Sequence, residues 1–101
     1  MGLEDVDFNL IIDFFRSIPN VEEAIVFGSR ALGNARRGSD IDLALKGAKL
    51  QPDECVSIRQ QLNEEHPLPY FFDVIHYATI TNSELKSHID RRGQVIYQKT
   101  G

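Results

Sequence analysis

The 101 residues carry 42% hydrophobic and 26% charged side chains, enough apolar material for one folded domain and too much for a disordered chain. Fifteen acids against eleven bases leave a formal charge of −4, which offers no broad basic surface to the phosphate backbone of DNA or RNA. The first residues are acidic where an export signal is basic, no apolar run reaches the roughly 18 residues of a membrane-spanning helix, and a single cysteine allows neither an internal disulfide nor a Cys-rich zinc site. The expectation is a cytoplasmic protein of one domain, residues 1–101, with no membrane and no extended nucleic acid among its partners. Any polyanion it handles must be gripped locally.

In chain order, Phe8, Ile11, Ile12 and Phe15 recur at helical spacing and predict an amphipathic first helix, stopped by Pro19-Asn20. Ala24 to Phe27 is a short continuous apolar run that predicts a buried strand, ended by Gly28-Ser29. A short helix is expected directly after it, over Ser29 to Gly33. Ile41 to Leu45 predicts a second strand. Pro52-Asp53-Glu54 opens a second long helix, with proline early and acids in the first turn. This helix should run to about Glu65, with Cys55 facing the core and Asn63-Glu64-Glu65 a solvated end.

Phe71 to Tyr77, rich in aromatic and β-branched residues, predicts a third strand. On it Asp73 shares a face with Ile75 and Tyr77, while His76 shares the other with Phe72 and Val74 as a satisfied, half-buried histidine. Thr81-x-x-Glu84 reads as a capping box for the last helix, with Leu85 and Ile89 on its inner face and Gly93 at its C-cap. Arg91 and Arg92 suit the negative end of that helix, and His66 and His88 read as solvated surface. Gln94 to Tyr97 closes the chain as a fourth strand. Helices and strands alternate with short connections, which predicts an α/β (α+β) fold, a small mixed sheet with helices packed on it.

The segment from Phe27 to Leu43 carries the chemistry. A strand ending in Gly28-Ser29 at a helix start exposes unpartnered backbone N–H groups, strengthened by the helix dipole, and so predicts an anion site. Glycine permits close approach of a phosphate and Ser29 can donate its hydroxyl. Arg30, Arg36 and Arg37 add three cations. Asp40 and Asp42 then stand two apart on a strand, so their carboxylates share a face, roughly 6–7 Å apart at Cα. Such a pair repels unless a cation lies between, and hard carboxylate oxygens suit Mg²⁺, which completes its shell with phosphate and water. A two-metal site normally takes a third carboxylate. Asp73 is the candidate, as an acid in a buried strand is costly unless paired or metal-bound.

Gly28-Ser29-Arg30-Ala31-x-Gly33, then Ala35-Arg36, then Ser39-Asp40-Ile41-Asp42-Leu43, resembles the minimal nucleotidyltransferase (MNT) group of the DNA polymerase β-like superfamily. The likeness continues through Phe72-Asp73-Val74-Ile75 and the closing Val95-Ile96-Tyr97, and so covers nearly the whole chain. It implies a polymerase β palm-like fold and transfer of a nucleoside monophosphate, AMP from ATP, to an acceptor hydroxyl with loss of pyrophosphate. By that resemblance Asp40, Asp42 and Asp73 are the catalytic and metal-binding residues of a two-metal Mg²⁺ site, and Gly28, Ser29, Arg30, Arg36 and Ser39 bind the nucleotide. Leu32 departs from the pattern, standing where many relatives have a basic residue.

Proteins of this group are typically encoded beside a HEPN-domain protein and are similar to antitoxins that neutralise it, some by adenylylating it. The resemblance therefore implies a hetero-oligomer with a HEPN-domain partner. Length points the same way, since a domain this short has little room to hold base and acceptor alone. The alternative expectation is a binding module without turnover, which neutralises its partner by occlusion. The nucleobase preference, the acceptor residue, the number of nucleotides added and the stoichiometry are not legible in the sequence.

Overall fold

The first helix, α1 (Asp5–Arg16), forms because its apolar residues return to one side at each turn. Ile11, Phe14 and Phe15 are buried there, with Phe8 and Ile12 packed beside them. In this computed structural model, which describes residues 5–27, 40–64 and 70–99, Ser17 folds back onto the carbonyl of Phe14 with both its N–H and its hydroxyl and ends the helix before Pro19. The remaining elements are β1 (Glu23–Phe27), β2 (Asp40–Lys46), α2 (Pro52–Glu64), β3 (Phe71–His76), a 3-10 turn (Tyr77–Thr79), α3 (Ser83–Arg92) and β4 (Gln94–Gln98). The expected helix over Ser29 to Gly33 lies outside the described residues.

The strands form one mixed sheet in the order β3-β2-β1-β4. β1 runs antiparallel to both β2 and β4, and β2 is parallel to β3. The parallel pair needs a crossover, which α2 supplies. Alternation along the strands divides the side chains between two faces. Ala24, Val26, Ile41, Leu43, Leu45, Phe72 and Val74 join α1 and α2 in the main core, where Cys55, Ile58 and Leu62 of α2 are buried as the sequence predicts for Cys55. Ile25, Phe27 and Ala44 face the opposite way, toward Ile89 of α3, with Ile75 and Leu85 packed alongside.

β4 shifts register against β1 between Ala24 and Ile25. The extra residue of this bulge lets consecutive Ile96 and Tyr97 both pack on the main core, with Tyr97 stacked 5.9 Å from Phe15. Two local expectations are corrected. The last helix is capped by Asn82, whose side chain accepts from the N–H groups of Glu84 and Leu85, and not by a box at Thr81. β3 stops at His76, and Tyr77 begins the 3-10 turn, its ring lying under the ammonium of Lys46. Gly93 does end α3, but with φ −66° it adopts no left-handed turn. A Cβ there would strike the Ile89 carbonyl and the Ile25 side chain, so close approach to β1 is what calls for glycine.

Candidate active site

Both faces of the sheet are apolar in the middle, and among the described residues the second face loses its cover toward one end. Ala44 and Ile75 lie against the α3 cluster, whereas Asp40, Asp42, Phe71 and Asp73, on the same face, extend past it. The parallel register sets Asp42 directly beside Asp73 and Asp40 beside Phe71. Neighbouring strands stand about 5 Å apart, so three carboxylates occupy adjacent positions on one surface. They line a cleft of about 290 Å³ with Arg59, Asn63, Phe71 and Phe72.

Asp42 is the middle acid and the half-buried one; Asp40 and Asp73 are exposed. Its carboxyl is held above the usual range, first by burial and then by repulsion from Asp73 and Asp40. Like charges so placed repel one another unless a cation lies between them. The donor set is all carboxylate, the chemistry that Mg²⁺ takes together with phosphate and water. Among the described residues no three acid, histidine or cysteine side chains converge closely enough to hold a metal ion as they stand.

Asp73 differs from its expectation in one respect. The sequence suggests an acid trapped in a buried strand, but its side chain is 64% exposed and lies 3.6 Å from the Nε of Arg59. Burial therefore does not explain why an acid stands there. Its partner Arg59, and Asn63 one turn further along α2, are the residues that sequence reasoning missed. Asn63 is no free helix end: its side-chain N–H donates to the Phe72 carbonyl at 2.9 Å and its oxygen accepts from the Phe72 N–H at 2.8 Å. This pair of bonds occupies the outer edge of β3 and fixes the strand beside Asp73. Only the i, i+4 spacing of Arg59 and Asn63 on α2 could have linked them beforehand.

The expected phosphate grip, Gly28, Ser29, Arg30, Arg36 and Ser39, lies outside the described residues. Phe27, the residue before Gly28, is paired with Asp42 across β1 and β2. His76 is half-buried as expected, its Nε2 3.0 Å from the Leu50 carbonyl and its Nδ1 3.2 Å from the Thr79 hydroxyl. Among the described residues no helix is long and apolar enough to cross a membrane.

A family model described as polymerase beta, nucleotidyltransferase, matches residues 9–100. No curated protein matches the sequence. The chain is similar to several solved structures. One is a toxin–antitoxin complex with AMP-PNP, at 25% identity and TM-score 0.72, covering 92% of this chain and 74% of that one. A toxin–antitoxin complex named MntA–HepT matches at 21% identity and TM-score 0.70, covering 95% and 74%. A tri-AMPylated Shewanella oneidensis HEPN toxin in complex with MNT antitoxin matches at 22% identity and TM-score 0.72, covering 96% and 74%.

Proposed function

The chain belongs to the polymerase β nucleotidyltransferase family, and from that premise we propose that it moves AMP from ATP onto a hydroxyl of a HEPN-domain partner and so neutralises it. The observation that carries this reading is that Asp40, Asp42 and Asp73 line one cleft, with Asp42 and Asp73 in register on neighbouring strands. The neighbours support the remainder: one is a toxin–antitoxin complex with AMP-PNP, and another pairs an AMPylated HEPN toxin with an MNT antitoxin.

In this reading residues 1–101 act as one cytoplasmic domain, and Gly28, Ser29, Arg30, Arg36 and Ser39 hold the triphosphate beside the end of β1. Asp40, Asp42 and Asp73 would hold Mg²⁺, which when bound would supply charge neutralisation at the phosphates and at the attacking oxygen. The acceptor oxygen bonds to the α-phosphorus as the bond to the bridging oxygen breaks, and pyrophosphate leaves. Asp73, exposed on the flank away from β1, is the carboxylate that takes the hydroxyl proton. Asp42, between two like charges, would share the cation with them and be relieved of their repulsion by it.

The test is to co-express the chain with a HEPN-domain partner protein and to weigh that partner by intact mass. Whole AMP units should appear with ATP and Mg²⁺, and none with the Asp40→Asn/Asp42→Asn variant. If that double variant protects cells from the partner as fully as wild type does, occlusion is the mechanism and this reading fails.

A further inference from the structure

Phe71 belongs to neither core cluster and stands 64% exposed, the one aromatic among the large apolar side chains that the described residues leave in water. It neighbours Asp40 across the ladder and shares the outer face of β3 with Asp73. The strand order gives the acids two flanks. β1 lies on one, with Phe27 opposite Asp42 and Gly28-Ser29 following in sequence; β3 lies on the other, with Arg59 beyond it. In-line displacement keeps the attacking and leaving oxygens on opposite sides of the phosphorus. With the triphosphate placed beside β1 as proposed above, the acceptor would approach over β3.

We propose that Phe71 seats the acceptor, its ring packing against the segment of the partner protein that carries the receiving hydroxyl and holding that hydroxyl over Asp73. The inference rests on the transfer reading above and adds a contact that the acid triad does not provide. A phenylalanine ring suits this role because it offers a large apolar area and loses little conformational freedom on docking. Arg59 lines the same cleft and supplies a cation for a carbonyl or carboxylate of that segment in otherwise acidic surroundings. A nucleobase is the competing occupant of the ring, and the separation of the two flanks argues against it.

The experiment compares wild type, Phe71→Ser and Phe71→Tyr in the full chain. ATP binding is measured by calorimetry with Mg²⁺, and AMP transfer is followed by intact mass over a range of HEPN-partner concentrations. Because the ring has no core role, melting temperatures should agree within about 2 °C. Phe71→Ser should leave ATP affinity within about twofold and raise the KM for the partner about tenfold, while Phe71→Tyr behaves nearly as wild type. Loss of ATP affinity in Phe71→Ser would assign the ring to the nucleobase and overturn the proposal, as would an unchanged partner KM. A wild-type protein that adds no AMP defeats the transfer reading and this inference with it, and that result is visible before any variant is compared.

Discussion

Along β2, Ile41, Leu43 and Leu45 are sealed against α1 and α2, while Asp40 and Asp42, set between and before them, look out from the opposite face of the same strand. β3 repeats the division, with Phe72 and Val74 inward and Phe71 and Asp73 outward. The inward face is closed along its length. Among the described residues the outward face is closed where Ile89 and Leu85 of α3 pack with Ile25, Phe27, Ala44 and Ile75. One strand pair thus serves stability on one face and presents charge on the other, and the two should respond to mutation in opposite ways.

The sharpest separation is expected at Asp73. Asp73→Asn removes a carboxylate from an exposed position, so the fold should survive while AMP transfer falls by about 10²–10⁴, the scale of several kcal/mol of lost charge stabilisation. Circular dichroism and intact-mass assays on the same sample check both halves. A transfer rate near wild type would remove Asp73 from the site.

Leu43→Ala, next to Asp42 but on the sealed face, should do the reverse. Deleting a fully buried leucine costs about 2–5 kcal/mol, enough to lower the melting temperature of a domain this size by about 10 °C or more. Activity should then fall in step with the folded fraction, as denaturant titration would report. A smaller effect is expected at the join between the faces. Asn63→Ala leaves the Phe72 backbone groups to water, about 1–3 kcal/mol for the two bonds together, and frees the edge of β3 beside Asp73. Hydrogen exchange at the Phe72 amide should rise, with a partial loss of transfer; unchanged exchange would deny Asn63 its clamping role.

How much of this was legible follows from the range of each interaction. Strand alternation and helical periodicity are local, so the inward residues and the shared face of Asp40 and Asp42 can be read from the chain. That Asp73 lies beside Asp42 needs the parallel register, and the family resemblance supplied what periodicity could not. Asn63 and Arg59 were missed because their partners, Phe72 and Asp73, come within reach only when α2 docks on the edge of β3. The cap at Asn82 in place of Thr81 is a shift of one residue between two good capping types. The position of Gly93 at the helix end is legible in the chain, but the reason for glycine there is not, since crowding by Ile25 is a tertiary fact.

The claim that the open face gives up stability for charge is tested most directly at Asp42. Its folded pKa is raised, so ionisation destabilises the fold: the penalty is absent at pH values below the ordinary carboxylate range and sets in as pH rises through the folded value. Thermal unfolding of wild type and Asp42→Asn should be followed from acid to neutral pH, without and with Mg²⁺ and ATP together. At neutral pH and without ligand the asparagine variant should melt a few degrees higher, this lead should shrink on acidification, and Mg²⁺ with ATP should raise the melting temperature of wild type alone. An Asp42→Asn variant that melts lower than wild type without ligand, and gains as much from Mg²⁺ and ATP, would contradict the claim.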